Sequence, residues 1–181
     1  MPETNAVYFK FNAVRNPEGG TLAASFESVL ALVDSSGADT LIIDMRHNGG
    51  GNNTLLKPLI HGLIRRPELT KRGHLFVITG RQTFSAAVNC ITRLEREVDP
   101  IFVGEPAGSR VNFVGETTFV TLPGCGLTPS ISSLYWQDGQ PWDKRAWIAP
   151  DIVAELTFDD FAQNRDPAMG AIREAISQRK K

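Results

Sequence analysis

The sequence predicts an α/β fold with a parallel sheet. Three short apolar runs have the length of strands that are buried on both faces: 41–43, 75–78 and 101–103. Segments with helical spacing separate these runs, as in a chain of strand-helix-strand units. Because parallel strands joined by right-handed crossovers end at one edge of a sheet, we expect the binding groups in the loops that follow them.

Helices and further strands are predicted from caps, periodicity and turn residues. Thr21 can cap a first helix whose apolar residues recur at helical spacing, and Gly37 can end it. The other helices are predicted over 54–65, over 85–97 and from Asp166-Pro167 to the basic C-terminal end. Additional β-structure is predicted over 8–14, 113–122 and 127–136.

Length and composition are those of a globular protein with one hydrophobic core. The chain has 181 residues, of which 41% are hydrophobic and 22% charged, so we expect a single domain over residues 1–181. The formal net charge is -1 and no basic stripe is present, so nucleic acid is not an expected partner. No apolar run reaches the roughly 20 residues that cross a bilayer, so membrane insertion is not expected either.

The first loop that could take part in catalysis or binding lies between a predicted strand and a predicted helix. Its sequence is Asp44-Met45-Arg46-His47-Asn48-Gly49-Gly50-Gly51-Asn52. Consecutive glycines permit positive φ and let backbone N–H groups converge on an anion. The loop could therefore form an oxyanion hole or a phosphate cradle, although its spacing matches no phosphate-binding fingerprint. The alternative is a plain strand-to-helix turn.

The second loop is Gly80-Arg81-Gln82-Thr83-Phe84-Ser85, again between a strand and a helix. At a helix start, the Ser85 hydroxyl would lie at the positive end of the dipole, and the Ala86 N–H would be free for a developing oxyanion. The alternative is that Ser85 only caps the helix.

Both loops, in this order and followed by a third segment, resemble a known family. The segments IIDMRHNGGGN, TFSAAVN and FVGEPAGSRVN look like the core of the carboxyl-terminal processing (tail-specific) serine peptidases. The tricorn protease core and the interphotoreceptor retinoid-binding protein are relatives of that family. The resemblance covers roughly positions 5 to 170. It implies a ClpP/crotonase-like β-α spiral.

The resemblance also implies roles for individual residues. Ser85 matches the nucleophile and the Ala86 N–H matches one oxyanion donor, while Gly49 or Gly50 should supply the other donor. Asp44 and Arg46 match the strand end of the family motif, where we interpret them as a charge pair that braces the loop.

The departures from the family pattern concern the general base. Many members use a lysine in the segment after the GE motif, but here that segment holds Ser109, Arg110 and Asn112. An arginine stays protonated and cannot act as a base, so we expect Arg110 and Asn112 to bind substrate instead. Tricorn-like members use a histidine from upstream, and no histidine precedes His47. His47 is therefore the candidate base within the chain, and an upstream segment is predicted to be missing.

Other side chains allow two interpretations each. Glu105 and Glu116 could assist as acids or could be ordinary surface glutamates. Four aromatic residues could line a groove for an extended peptide or an apolar ligand, but we favour a packing role for them: Tyr135, Trp136, Trp142 and Trp147.

The sequence thus predicts a serine-type endopeptidase of the tail-specific family, which acts through a Ser85 acyl-enzyme on a peptide or protein. No metal or organic cofactor is expected. One alternative is a peptidase-fold module that binds a peptide or apolar ligand without turnover, and another is a crotonase-like acyl-thioester enzyme. Cellular location is open, with a secreted or periplasmic full-length protein as one option, and so is the oligomeric state.

Overall fold

A five-stranded parallel sheet organises the computed structural model, which describes residues 4–179. Its strands lie in the order β1-β2-β3-β4-β7, and all neighbours pair in parallel. They are β1 (Ala6–Lys10), β2 (Thr40–Asp44), β3 (Leu75–Thr79), β4 (Ile101–Gly104) and β7 (Ile152–Val153). The remaining strands, β5 (Asn112–Phe119) and β6 (Ser130–Gln137), form a separate antiparallel pair.

Helices cover both faces of the parallel sheet. The helices are α1 (Leu22–Ser36), α2 (Lys57–Ile64), α3 (Pro67–Thr70), α4 (Ala86–Val98), α5 (Phe158–Ala162) and α6 (Pro167–Arg179). Ile43 and Val77 face a core built with α1, α2 and α4, whereas Ile42 and Phe76 face a second core built with α6. Alternate strand residues thus serve opposite cores, which explains the uninterrupted apolar runs in the sequence.

The first helix is confirmed with both of its predicted ends. Thr21 accepts a hydrogen bond from the Ala24 N–H at 3.1 Å, and Gly37 ends the helix in the left-handed region with φ 66°. The last helix is also capped as predicted, because the Met169 N–H donates to the Asp166 carboxylate at 3.0 Å. The capping signals in the sequence were therefore sufficient for these two helices.

Other predicted bounds differ from the structure. The first strand ends at Lys10 rather than at Val14. The predicted helix over 54–65 is a 3₁₀ helix, Asn53–Leu56, followed by α2, which has Pro58 in its first turn. The elements that the sequence did not reveal are α3, α5 and β7, each of five residues or fewer and too short for a periodic pattern.

The α/β class and the parallel sheet are therefore observed. The narrower expectation of a ClpP/crotonase-like spiral stays a prediction. Within residues 4–179, no helix combines the length and the apolar character that a membrane crossing requires.

The antiparallel pair, with its turn, forms a projecting unit that we call the β5–β6 hairpin (112–137). Its base is anchored, since Asn112 is buried and Phe113 packs against the larger core. Further out, the hairpin residues are exposed on both faces of both strands. The hairpin is therefore attached to the α/β core only at its base.

Candidate active site

Ser85 lies in a backbone conformation that favours glycine. Its φ is 54° and its ψ is -128°, and the Ala87 N–H donates to the Phe84 carbonyl at 3.0 Å. These angles and this bond define a type II′ turn with Ser85 at the first central position, where glycine dominates. A non-glycine residue in such a region costs about 1–3 kcal/mol, and strain of this kind is concentrated at functional sites.

The Ser85 side chain does not cap helix α4. The helix begins at Ala86, and the Ser85 hydroxyl makes no capping hydrogen bond. The alternative role as a simple N-cap is therefore wrong. The Ala86 N–H donates to no acceptor within residues 4–179, as expected for the first amide of a helix. A half-buried hydroxyl and a free amide thus lie side by side at the start of α4.

Buried Thr83 holds the loop that carries Ser85. Its hydroxyl donates to the Met45 carbonyl at 2.8 Å and accepts from the Gly80 N–H at 3.0 Å. Its carbonyl accepts from the Gly108 N–H at 2.9 Å. The Thr83 side chain therefore joins the end of β2 to the loop after β3, and its backbone joins that loop to the segment after β4.

Asn48 holds the glycine loop in place. It is fully buried; its side-chain amide donates to the Phe11 carbonyl at 2.8 Å and accepts from the Gly50 N–H at 3.0 Å. Its backbone carbonyl accepts from the Phe84 N–H at 3.0 Å. The glycine loop is thereby fixed directly against the residue that precedes Ser85.

Gly50 contacts the Ser85 turn without space for a side chain. A Cβ on Gly50 would lie 2.8 Å from the Ala86 nitrogen and 2.8 Å from the Ser85 Cβ. The Gly50 N–H is already bonded to Asn48, whereas the amides of Gly49 and Gly51 have no acceptor within residues 4–179.

Gly51 has the better orientation of these two free amides. The Gly50 carbonyl accepts from the Val14 N–H at 2.9 Å, and the Gly50–Gly51 peptide is trans. Because C=O and N–H of a trans peptide point in opposite directions, the Gly51 N–H points away from Val14. Gly51 also lines the pocket that contains Ser85 and Ala86.

That pocket has a volume of about 260 Å³ and a lining of both polar and apolar surface. Its walls are formed by Gly51, Asn52, Asn53, Thr54, Ser85, Ala86, Asn89, Glu116 and Trp136. The Asn53 side-chain nitrogen is buried and has no hydrogen-bond partner within residues 4–179. An unpaired buried donor that lines the same pocket as the Ser85 hydroxyl is the kind of group that a bound carbonyl would satisfy.

The base of the β5–β6 hairpin closes the pocket on one side. Asn89, one turn after Ser85 on α4, donates to the Asp138 carboxylate, which also accepts from Arg93 at 2.6 Å. These bonds fix the end of β6 against α4, so that Trp136 lies at the pocket. Glu116 reaches the same pocket from β5 with a positive φ of 54°.

His47 and Glu105 lie elsewhere. Both line a different pocket together with Arg46, Gly80 and Arg81. His47 contacts the Gln82 side chain at 3.3 Å, and Glu105 forms an ion pair with Arg81 at 3.0 Å. Within residues 4–179, His47 forms no hydrogen bond with Ser85, and the two residues line different pockets.

The two predicted substrate-binding residues differ from each other. Arg110 is exposed and forms no ion pair within residues 4–179. Asn112 is buried, and its amide donates to the Gln140 carbonyl at 2.8 Å and accepts from the Gly139 N–H at 3.0 Å. Asn112 therefore fastens the loop after β6 to β5, and its amide is occupied by the chain itself.

Asp44 and Arg46 form the predicted charge pair. The Arg46 Nε lies 3.0 Å from an Asp44 carboxylate oxygen, and Arg46 also donates to Asp166 at 3.1 Å. Tyr8 donates to the other Asp44 oxygen at 2.6 Å. Burial, together with the hydrogen bond to Asp44, raises the pKa of Tyr8. This network joins β1, β2 and α6 as a brace below the glycine loop.

Several residues of the site were missed by sequence reasoning: Asn48, Gly51, Asn53 and Asn89. Trp136, a candidate groove residue from the sequence, does line the pocket. Asn48 carried a local signal, because an asparagine before glycines commonly forms a side-chain turn. Of the aromatic residues, Trp142 and Trp147 are 73% and 51% exposed, so the favoured packing role is wrong for them.

Comparisons with known proteins place this arrangement within a described fold. No protein-family model matches the chain, and no curated protein matches it. Solved structures do match, at high similarity of fold and low identity of sequence. A protein from Parabacteroides merdae described as a peptidase has a TM-score of 0.62 and 15% identity, over 95% of this chain and 61% of its own.

Two further matches are named proteases. The photosystem II D1 C-terminal processing protease has a TM-score of 0.56 and 16% identity, over 85% of this chain and 43% of its own. The tricorn protease has a TM-score of 0.58 and 15% identity, over 98% of this chain and 18% of its own. The chain has the fold of the S41 family peptidases.

The resemblance inferred from the three sequence motifs is thus confirmed at the level of the S41 fold. The chain spans between about one fifth and three fifths of the length of the three structures named above. What it shares with them is the S41 fold.

Proposed function

We propose that this chain is the catalytic part of a serine-type, tail-specific endopeptidase, with Ser85 as the nucleophile. The observation that carries the proposal is the strained type II′ turn at Ser85, which presents a hydroxyl that caps nothing beside a free amide. A serine kept in a glycine conformation indicates that its side chain is needed there.

In the proposed reaction, the Ser85 Oγ attacks the carbonyl carbon of a peptide bond. The Ala86 N–H donates to the oxyanion that develops, and an amide of the glycine loop is the second donor. Gly49 and Gly50 were the sequence-based candidates, but the Gly50 N–H is bonded to Asn48 at 3.0 Å. The Gly51 N–H, which is free and borders the pocket, is the stronger candidate. Collapse of the intermediate releases the amine, and water then hydrolyses the acyl-enzyme.

The substrate in this proposal is a peptide or protein segment that reaches the Ser85 pocket in extended form. Arg110, which is exposed and unpaired within residues 4–179, is proposed to bind a substrate carboxylate. The strands β1-β2-β3-β4 follow one another in sequence order across the sheet, and the helices that connect them pack on the face of the larger core. This arrangement supports the proposed ClpP/crotonase-like spiral.

One observation favours a second candidate function, a binding module without turnover. Among the described side chains that line the Ser85 pocket, Glu116 is the one acidic or basic group, and no histidine or lysine is present. A serine needs a base for attack, so the candidates to supply it are Glu116 and, after a loop movement, His47.

A fluorophosphonate probe and a peptide-hydrolysis assay separate the two functions. We expect the probe to label the wild-type protein and not Ser85→Ala, while Ser109→Ala, a control at a half-buried serine, keeps full labelling. Loss of labelling rate in Glu116→Gln or in His47→Ala identifies the base. Absence of Ser85 labelling, with peptide binding retained, contradicts the peptidase and supports the binding module.

A further inference from the structure

The outer edge of strand β6 is an unprotected sheet edge. The β5–β6 hairpin is a two-stranded sheet, and within residues 4–179 β6 pairs with β5 alone. Its eight residues therefore present a row of backbone N–H and C=O groups along one side. A two-stranded hairpin that does not pack against a core is only marginally stable in water.

The composition of the hairpin makes this edge unusual. Residues 117–137 contain no charged side chain. Large apolar side chains are nevertheless exposed along it, among them Phe119, Leu127, Ile131, Leu134 and Tyr135. Edge strands of monomeric proteins are usually protected by charges, prolines or distortions, and an exposed apolar edge without them pairs with another chain.

The two edges of the hairpin are not equivalent. On β5, Glu116 carries a charge and a positive φ of 54°, and it is the one position between Asn112 and Phe119 that forms no strand pair, although the register continues unchanged on both sides. A charge with a local distortion is one of the devices that prevent edge pairing. β6 has neither over Ser130–Gln137. The free edge of β6 is thus the one that can accept another strand.

We propose that β6 pairs antiparallel with β6 of a second copy of this chain, so that two hairpins form a four-stranded sheet across a twofold axis. A twofold axis brings the same strand to itself in antiparallel orientation, the arrangement of an isologous dimer. A partner with charged residues would leave them unpaired against this neutral edge, whereas a second copy brings only the same uncharged side chains. The proposal does not depend on Ser85 being a nucleophile.

The geometry of the pairing gives a specific test. In the antiparallel arrangement the centres of the two β6 strands meet, and the two hairpin turns lie at opposite ends of the sheet. Cys125, which is exposed in the turn, should then form no cross-link between copies. In a Cys125→Ser background, a cysteine introduced at the strand centre by Ser132→Cys or Ser133→Cys should form a disulfide-linked dimer on mild oxidation.

Light scattering coupled to size exclusion, over a wide concentration range, gives the oligomeric state. We expect a dimer for the wild type and a dimer affinity that is lower by about tenfold or more for both lysine variants. In Leu134→Lys, like charges would meet near the twofold axis, and in Ile131→Lys, a charge would lie unpaired against the uncharged partner strand. Leu32→Lys is the matched control, since Leu32 is 53% exposed on α1 and Ile131 is 55% exposed on β6. The control should remain a dimer.

Three results overturn the proposal. The first is a monomeric wild type at every concentration, which leaves the β6 edge to an extended peptide or another protein. The second is a dimer that both lysine variants retain with unchanged affinity. The third is a rapid Cys125 cross-link together with no cross-link at Ser132 or Ser133, which indicates contact between the turns. Circular dichroism of each variant verifies that the exposed substitutions leave the fold intact.

Discussion

The carbonyl oxygen of Asn48 accepts a hydrogen bond from the N–H of Phe84 at 3.0 Å. This bond joins the glycine loop after β2 to the turn that presents Ser85 after β3. Asn48 is fully buried and also bonds Phe11 and Gly50 through its side chain. Two loops that are far apart in the sequence are therefore held against each other at a fixed distance.

Replacement of Asn48 should destabilise the protein and disturb the site. Asn48→Ala removes two buried hydrogen bonds and leaves the Phe11 carbonyl and the Gly50 N–H unpaired, so we expect a loss of about 2–4 kcal/mol in the free energy of unfolding. Urea denaturation measures this loss. Asn12→Ala, at an exposed asparagine without side-chain hydrogen bonds within residues 4–179, is the control and should change stability by less than about 1 kcal/mol.

Glycine at position 85 should stabilise the protein while it abolishes the proposed activity. Because Ser85 has φ 54°, Ser85→Gly relieves backbone strain, and we expect it to be more stable than Ser85→Ala by about 1 kcal/mol. Ser28→Gly, in the interior of α1, should instead lose about 1 kcal/mol. Thermal unfolding compares the three variants, and equal stability of the glycine and alanine variants at position 85 would argue against strain there.

Two adjacent glycines should respond oppositely to alanine. A Cβ on Gly50 would lie 2.8 Å from backbone and Cβ atoms of the Ser85 turn, whereas a Cβ on Gly49 meets nothing within 4 Å. We expect Gly50→Ala to lose at least about 2 kcal/mol of stability and most fluorophosphonate labelling, since the turn must shift. Gly49→Ala should leave the stability close to that of the wild type and the fluorophosphonate labelling within about twofold of it. Similar losses in the two variants would contradict the contact between Gly50 and Ser85.

Asn53 should affect binding more than folding. Its buried, unpaired side-chain nitrogen already weakens the folded state, so Asn53→Ala should change the free energy of unfolding by no more than about 1 kcal/mol. If the nitrogen binds a substrate carbonyl, KM should rise while kcat changes little. Asn52→Ala is the neighbouring control, because Asn52 caps the 3₁₀ helix and should lose about 1 kcal/mol. An unchanged KM in Asn53→Ala would show that the Asn53 side chain does not bind the substrate.

The brace between Arg46 and Asp166 should make stability depend on pH in acid. Burial alone would raise the pKa of Asp166, but the hydrogen bond from Arg46 and the N–H of Met169 outweigh it and hold that pKa below its ordinary value of 3.8. A carboxyl with a lowered pKa stabilises the fold fully above its ordinary pKa, and this contribution is lost as the pH falls through the folded-state value.

The stability difference between wild type and Asp166→Asn should therefore be largest above about pH 5 and should shrink below about pH 4. Asp159→Asn removes the same charge from an exposed side chain without an ion pair within residues 4–179, and should give no such pH-dependent difference. Denaturation measured from neutral to acid pH tests this directly. A difference that is constant over this range would show that the ion pair does not contribute.

The two cysteines should differ in their reactivity. Burial raises the pKa of the Cys90 thiol to about 12, so Cys90 should remain unreactive toward thiol reagents in the folded state. Cys125 is exposed and is the expected site of labelling.

The sequence by itself determined the α/β class, the capped helices and the position of Ser85 before α4. These features follow from local chemistry, because apolar runs, Thr21, Gly37 and Asp166 act on residues close to them in the chain. The charge pair of Asp44 and Arg46 was predictable for the same reason.

Only the tertiary structure decided which residues share the Ser85 pocket. In the folded chain, His47 lies in a different pocket, and the amides of Gly50 and Asn112 are hydrogen-bonded within the chain. The side chains of Asn53, Glu116 and Trp136 line the Ser85 pocket. The tertiary structure also left the hairpin exposed on both faces. Such contacts join segments far apart in the chain, and they depend on loop conformation and on the direction of single N–H groups, which local sequence patterns do not encode.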